Sequence, residues 1–191
     1  MLYKFFKRII DIILSILIIF CFSPLMTFVF FIVKITSKGP FIHWSKRVGK
    51  NDNIFLMPKI RTMKISTPQV ATHLLQDPKN YLTPLGTILR KSSIDELPQI
   101  WSILFGHMSF VGPRPALFNQ YNLIKSRKNH GINTLKPGLT GWAQINGRDN
   151  ISLEEKIALD LYYLKNYSIF LDLRIIYLTL FICFKKIYIS H

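Results

Sequence analysis

The stretch Arg90-Lys-Ser-Ser-Ile-Asp-Glu-Leu-Pro-Gln-Ile-Trp101 sets two carboxylates, Asp95 and Glu96, side by side. Ser93 and Glu96 have capping-box spacing, yet a cap at Ser93 would place Pro98 where it loses a helical hydrogen bond. A cap at Asp95 keeps Pro98 in the first turn. On either placement both acids stand at a helix start, where free N–H groups and the positive dipole end stabilise a carboxylate or an arriving phosphate. Taken alone, the stretch is accounted for by capping.

Candidate anion-binding side chains surround it in sequence. Phe110-Val-Gly-Pro-Arg-Pro115 sets Arg114 between two prolines that stiffen its backbone, and Arg suits two-pronged contact with phosphate. Lys59 and Arg61 follow a strand-like stretch, and Arg90 adds a further cation; such residues taken singly are most often solvated surface charges. Lys136-Pro-Gly-Leu-Thr-Gly-Trp-Ala-Gln-Ile-Asn-Gly-Arg148 offers Gln144 and Arg148 on a Gly-rich loop, which matches neither a P-loop nor a dinucleotide fingerprint. The five histidines show no metal-ligand spacing.

The elements that must position these groups follow from periodicity and punctuation. Phe41 to Thr62 reads as two short strands joined by Gly49-Lys-Asn-Asp, a hairpin. Leu85 to Arg90 and Ile94 to Leu104 read as helices, Gly112 to Pro115 and Lys136 to Arg148 as loops. Ser152-x-x-Glu155 is a capping box opening a helix to about Lys165. Before them, Ile12 to Val33 is a run of roughly 22 uncharged residues, long enough to cross a bilayer. Pro24 lies within it, so a break is expected at Ser23-Pro24. Lys4, Lys7 and Arg8 precede the run and Lys34, Lys38, Lys46 and Arg47 follow it, so flanking charge gives no orientation. A hairpin re-entering on one face and a straight spanning helix both fit. Ile169 to Tyr188 carries Asp172 and Arg174 and is too interrupted to span, so it reads as an interfacial or packed amphipathic helix.

The chain has 191 residues, 25 Lys and Arg against 10 Asp and Glu, and 49% hydrophobic residues. The charge implies an anionic partner or surface, and the apolar content favours lipid over nucleic acid. Cys21 and Cys183 lie in apolar stretches and read as buried thiols, not a disulfide framework. No secretory cleavage pattern follows the apolar run.

Taken in order, Lys7-Arg-Ile-Ile-Asp11, Ser23-Pro24, Lys59-Ile-Arg-Thr-Met63, Ser93-Ile-Asp-Glu-Leu-Pro-Gln99, Met108-Ser-Phe-Val-Gly-Pro-Arg-Pro115, Pro137 to Arg148 and Asp160-Leu-Tyr-Tyr163 resemble the bacterial sugar transferases called monotopic phosphoglycosyl transferases, in their minimal catalytic form. The resemblance implies a mixed α/β, mostly helical fold. Residues 1–36 would form a re-entrant membrane helix broken at Ser23-Pro24, residues 37–168 a small catalytic portion with a short β-hairpin, and residues 169–191 an interfacial amphipathic helix. It implies transfer of a sugar 1-phosphate from a nucleotide sugar, expectedly a uridine diphosphate donor, to polyprenyl phosphate, releasing the nucleoside monophosphate. The site would lie at the cytoplasmic face of the bacterial inner membrane. Asp95 maps to the nucleophile with Glu96 beside it, magnesium assists at this pair, and Lys59, Arg90 and Arg114 fall on phosphate-holding positions; Arg61, Gln144 and Arg148 complete the candidate substrate-binding set. Membrane lipids are expected partners, nucleic acid is not, and oligomer formation stays open, as do the sugar and the downstream glycan.

Departures from that pattern are His107, where the family commonly has Asp, Ile60, where an aromatic is common, and the acid-poor stretch from Lys64 to Thr83. They bear on substrate preference more than on reaction type. The rival readings are a non-catalytic basic membrane-surface protein, which leaves the Asp-Glu pair and Arg114 without a joint purpose, and a scaffold that keeps only the fold.

Overall fold

The computed structural model describes residues 2–68, 77–147 and 151–189, with 78, 79 and 183–189 described as backbone only. The fold is mostly helical with two short two-stranded sheets, the mixed class expected. Helix α1 spans Leu2–Thr36 and is apolar and long enough to cross a membrane by length and composition. It continues through Pro24 rather than breaking there. The reason is local: proline has no N–H for the Phe20 carbonyl, and the Ser23 hydroxyl donates to that carbonyl instead at 3.0 Å.

Phe20 to Pro24 are exposed on every face, Cys21 included, so the expectation of a buried thiol there was wrong. Either side of that turn, α1 is docked. Arg8 donates to the carbonyls of Ile103 and Leu104 at 2.7 and 2.6 Å, satisfying the open end of a later helix. Buried Asp11 accepts from the Ser109 hydroxyl and the Phe110 N–H at 3.1 and 3.0 Å. At the other end Val29 and Val33 pack with Ile60 and Leu89. The helix is thus packed on the protein at both ends and bare around Ser23-Pro24.

Strands β1 (Ile42–Val48) and β2 (Ile54–Ile60) form the expected antiparallel hairpin, in register from Ile42 opposite Ile60 to Val48 opposite Ile54. Its turn uses left-handed Asn51 and Asp52, residue types that tolerate positive φ. Helix α2 (Gly86–Lys91) precedes a single 3₁₀ turn, Ile94–Glu96, and α3 runs from Gln99 to Leu104. Strand β3 (Ser109–Val111) pairs in parallel with β4 (Gly138–Thr140), so the Gly-rich stretch is not all loop. The pairing is close: a β-carbon on Gly138 would sit 2.1 Å from the Gly112 nitrogen.

The remaining helices are α4 (Tyr121–Asn129), α5 (Trp142–Ile145), α6 (Leu153–Asn166) and α7 (Ile169–Ile189). The Ser152 capping box is formed, with Glu155 N–H donating to the Ser152 hydroxyl at 3.1 Å and Ser152 N–H to the Glu155 carboxylate at 2.9 Å. Helix α7 buries Ile175 in the core and leaves Phe170, Leu173, Tyr177, Leu180 and Phe181 exposed, an amphipathic element with an apolar outer side. Its Asp172 receives Tyr163 at 2.6 Å, Tyr3 at 2.8 Å and Lys7 at 2.5 Å, tying α1, α6 and α7 together. Side chains of α1 and α7 therefore pack in the same core clusters as those of β2, α3 and β3.

Candidate active site

Strand β2 delivers Lys59 to the 3₁₀ turn that carries Asp95 and Glu96. The turn is set by Ser93, which adopts a left-handed φ of 58°, and by Ile94, which packs on the Val33–Ile60 cluster. Neither Ser93 nor Asp95 makes a side-chain cap, and Pro98 precedes α3, so the sequence expectation of a capped helix start is corrected. The acids stand just before the helix in a tighter turn. Freed from capping, they face the cations.

Lys59 Nζ lies 2.8 Å from Glu96 Oε1, and Arg114 Nη2 lies 3.6 Å from the same oxygen. Asp95 is 7% exposed. Burial pushes its carboxyl up to about 6, against the pull of Lys59 and Arg90 and with the push of Glu96. Burial also pulls the Lys59 ammonium down, and Glu96 opposes that by holding its charge. Arg90 Nε donates to Thr62 Oγ1 at 2.9 Å. Asp95, Glu96, Lys59, Arg90 and Arg114 are thus gathered in one place from β2, α2, the 3₁₀ turn and the Pro-Arg-Pro loop.

Arg114 is held from behind. Buried Arg127 of α4 donates to its main-chain carbonyl at 2.7 Å and binds Asp160 of α6 through Nε and Nη2 at 3.0 and 2.7 Å. The Asp160-Leu-Tyr-Tyr163 stretch thereby reaches the site through its first residue, while Tyr163 binds Asp172.

Two candidates are engaged elsewhere. Arg61 donates to the carbonyls of Lys38 and Ser37 at 2.5 and 3.0 Å, locking the end of α1. Gln144 donates to the Leu139 carbonyl at 2.9 Å within its own loop. Arg148 lies outside the described residues.

Sequence reasoning passed over Arg47. It sits on β1, donates to Ser45 Oγ and to the Pro115 carbonyl at 3.1 Å each, and is pushed down to about 10 by burial and then by Arg114. Its alternation with apolar neighbours on a strand was the available signal, but a basic residue there looks like any solvated charge. For a divalent cation, the donor set is two adjacent carboxylates; among the described residues no group of three or more His, Cys, Asp or Glu converges. That set suits magnesium, which takes one or two carboxylates and completes its shell with water and substrate phosphates.

The sequence that builds this cluster and the apolar helix attached to it has counterparts among known proteins. The family model for bacterial sugar transferases matches residues 2–186, and the chain belongs to that family. It is 39% identical to the uncharacterized sugar transferase EpsL of Bacillus subtilis, covering 96% of this chain and 88% of the relative. It is 35% identical to the exopolysaccharide production protein ExoY of Sinorhizobium fredii, over 91% and 83% of the two chains. It is 40% identical to the UDP-glucose:undecaprenyl-phosphate glucose-1-phosphate transferase of Klebsiella pneumoniae, over 92% of this chain but 39% of that enzyme.

Proposed function

We propose that this protein transfers a sugar 1-phosphate from a uridine diphosphate sugar to undecaprenyl phosphate at the cytoplasmic face of the bacterial inner membrane, through a covalent intermediate on Asp95. The observation that carries the reading is the buried Asp95 carboxyl, raised to about 6 and under the pull of Lys59 and Arg90, beside a Glu96 that Lys59 and Arg114 approach. A carboxylate with that pKa is still ionised at neutral pH and more basic than an exposed one, as a nucleophile requires. Relatives named for undecaprenyl-phosphate sugar transfer support the substrate class.

In the first step an Asp95 oxygen attacks the phosphorus that bears the sugar. The bond from that phosphorus to the bridging oxygen breaks, and uridine monophosphate leaves with the electron pair. In the second step an oxygen of the lipid phosphate attacks the same phosphorus and the Asp95 carboxylate leaves. Lys59 and Arg114 hold Glu96 in place and face the diphosphate, whose charge they offset. Asp95 and Glu96 would hold magnesium, which neutralises diphosphate charge when bound. The re-entrant course of α1 is supported by its docking at both ends.

The test is incubation of detergent-purified enzyme with donor and magnesium alone, followed by intact mass and nucleotide release. A protein that gains the sugar phosphate, with no gain in Asp95→Asn, is the expected result. Nucleotide release that depends strictly on added polyprenyl phosphate, with no adduct trapped, would overturn the covalent route.

A further inference from the structure

A second cationic cluster lies apart from the carboxylate site. Arg8 Nη2 and Lys136 Nζ each stand 3.5 Å from the point where a β-carbon on Gly106 would be, so they are at most about 7 Å apart, twice that distance. Gly106 has a φ of +86° and no side chain, which leaves the space between the two cations open. Lys136 makes no hydrogen bond or ion pair among the described residues, and His107, which follows Gly106, is exposed and stacked on Phe55. The charges that act on Lys136 are Arg8, Lys50 and Lys7 against the single acid Asp11, and the first three, with burial, pull its ammonium down. Asp11 is already bound by Ser109 and Phe110. Lys7 is taken by Asp172, and Arg8 spends two of its five donors on helix carbonyls, leaving three.

Like charges this close, without a carboxylate between them, fit an anion. A phosphate with oxygen contacts of about 2.8 Å on each side spans such a gap. The surroundings narrow the source. Phe105, next to Gly106, is 69% exposed and stacks on Trp101, itself 47% exposed; Phe5 and Ile9 are exposed on the α1 turn that carries Arg8. Exposed aromatics beside unpaired cations mark a lipid interface, not a site for a soluble anion.

We propose that Arg8 and Lys136 hold the phosphate headgroup of an acidic membrane phospholipid over Gly106, with Phe105 and Trp101 entering the acyl region beside it. This site shares no residue with the Asp95 cluster and stands or falls independently of the transfer reaction.

The test uses the full chain in a neutral detergent, titrated with short-chain phosphatidylglycerol, short-chain phosphatidylcholine or inorganic phosphate, read by melting temperature and by native mass spectrometry. Phosphatidylglycerol should raise the melting temperature by several degrees and remain bound, as any ligand selective for the folded state does. Phosphatidylcholine and inorganic phosphate should do neither. Lys136→Gln, which breaks no bond, should at least halve the shift and Lys136→Arg should keep it. An equal shift with phosphatidylcholine, an equal shift in Lys136→Gln, or saturation by inorganic phosphate at the same concentration would each overturn the proposal.

Discussion

Arg127 donates a 2.7 Å hydrogen bond to the main-chain carbonyl of Arg114, the residue whose side chain approaches Glu96. The reach from Asp160 to the acidic turn thus passes through two arginines, Arg127 and then Arg114. Arg127→Ala strands a nearly buried Asp160 and should destabilise the protein by about 3–5 kcal/mol, seen in denaturant unfolding. Arg127→Lys keeps a charge but not the fork, so kcat should fall by about tenfold with a much smaller change in melting. A Lys variant with full kcat would reduce the contact to packing.

Asp95→Asn should abolish transfer and yet stabilise the fold. The folded carboxyl is raised from 3.8 to about 6, so the contribution of its protonated form is fully present below about 3.8 and lost as pH rises through about 6. At neutral pH the ionised group destabilises the fold by up to about 3 kcal/mol, roughly two pH units' worth, and Asn removes that strain. A higher melting temperature for Asp95→Asn at pH 7.5, with the difference vanishing near pH 4, is the expected pattern.

The same carboxyl governs activity in the opposite sense. Protonation removes the nucleophile, so kcat for nucleotide release should decline about tenfold per pH unit below about 6. A rate flat down to pH 5, in enzyme that remains folded, would remove Asp95 from the chemical step.

Arg114→Lys should be nearly as damaging as Arg114→Ala, each losing about 10- to 100-fold in kcat/KM, because Lys cannot reproduce a two-pronged phosphate contact. Near-normal activity of the Lys variant would mean the residue acts only as a diffuse charge.

Replacing Ser23 and Pro24 with Ala and Leu should shift α1 toward a spanning form, since a full set of helical hydrogen bonds then replaces the proline gap that the Ser23 hydroxyl covers. Cysteines placed at Lys4 and Lys46 should be protected alike from an impermeant reagent in cells for the natural sequence and differ in the Ala-Leu variant. Different labelling of the two positions in the natural sequence contradicts the re-entrant course.

What the sequence made legible was what local rules control. The hairpin followed from alternation and the Gly49-Lys-Asn-Asp turn, and α6 from a capping box that uses only residues three apart. The parallel β3–β4 pair was hidden because each strand has three residues and the pairing depends on Gly138 meeting Gly112, a contact between distant segments. At the site, the identities of Asp95, Glu96, Lys59, Arg90 and Arg114 stood out, but the tight turn that sets the two acids against the cations did not. Left-handed Ser93 bends the chain there, and nothing adjacent in sequence demands it. Arg61 was misleading for the same reason: its partners, Ser37 and Lys38, are set by where α1 returns.

The return of α1 also fixes a height. Val33 packs on Ile60, and Ile94, beside Asp95, packs on the same cluster. The helix and the Asp95 turn therefore rest on one packed cluster, and under the proposed membrane course the depth at which the apolar segment settles sets the depth of Asp95. A version trimmed of residues 1–36 for solubility would lose Val29 and Val33 from that cluster, and with them part of the footing of the Asp95 turn.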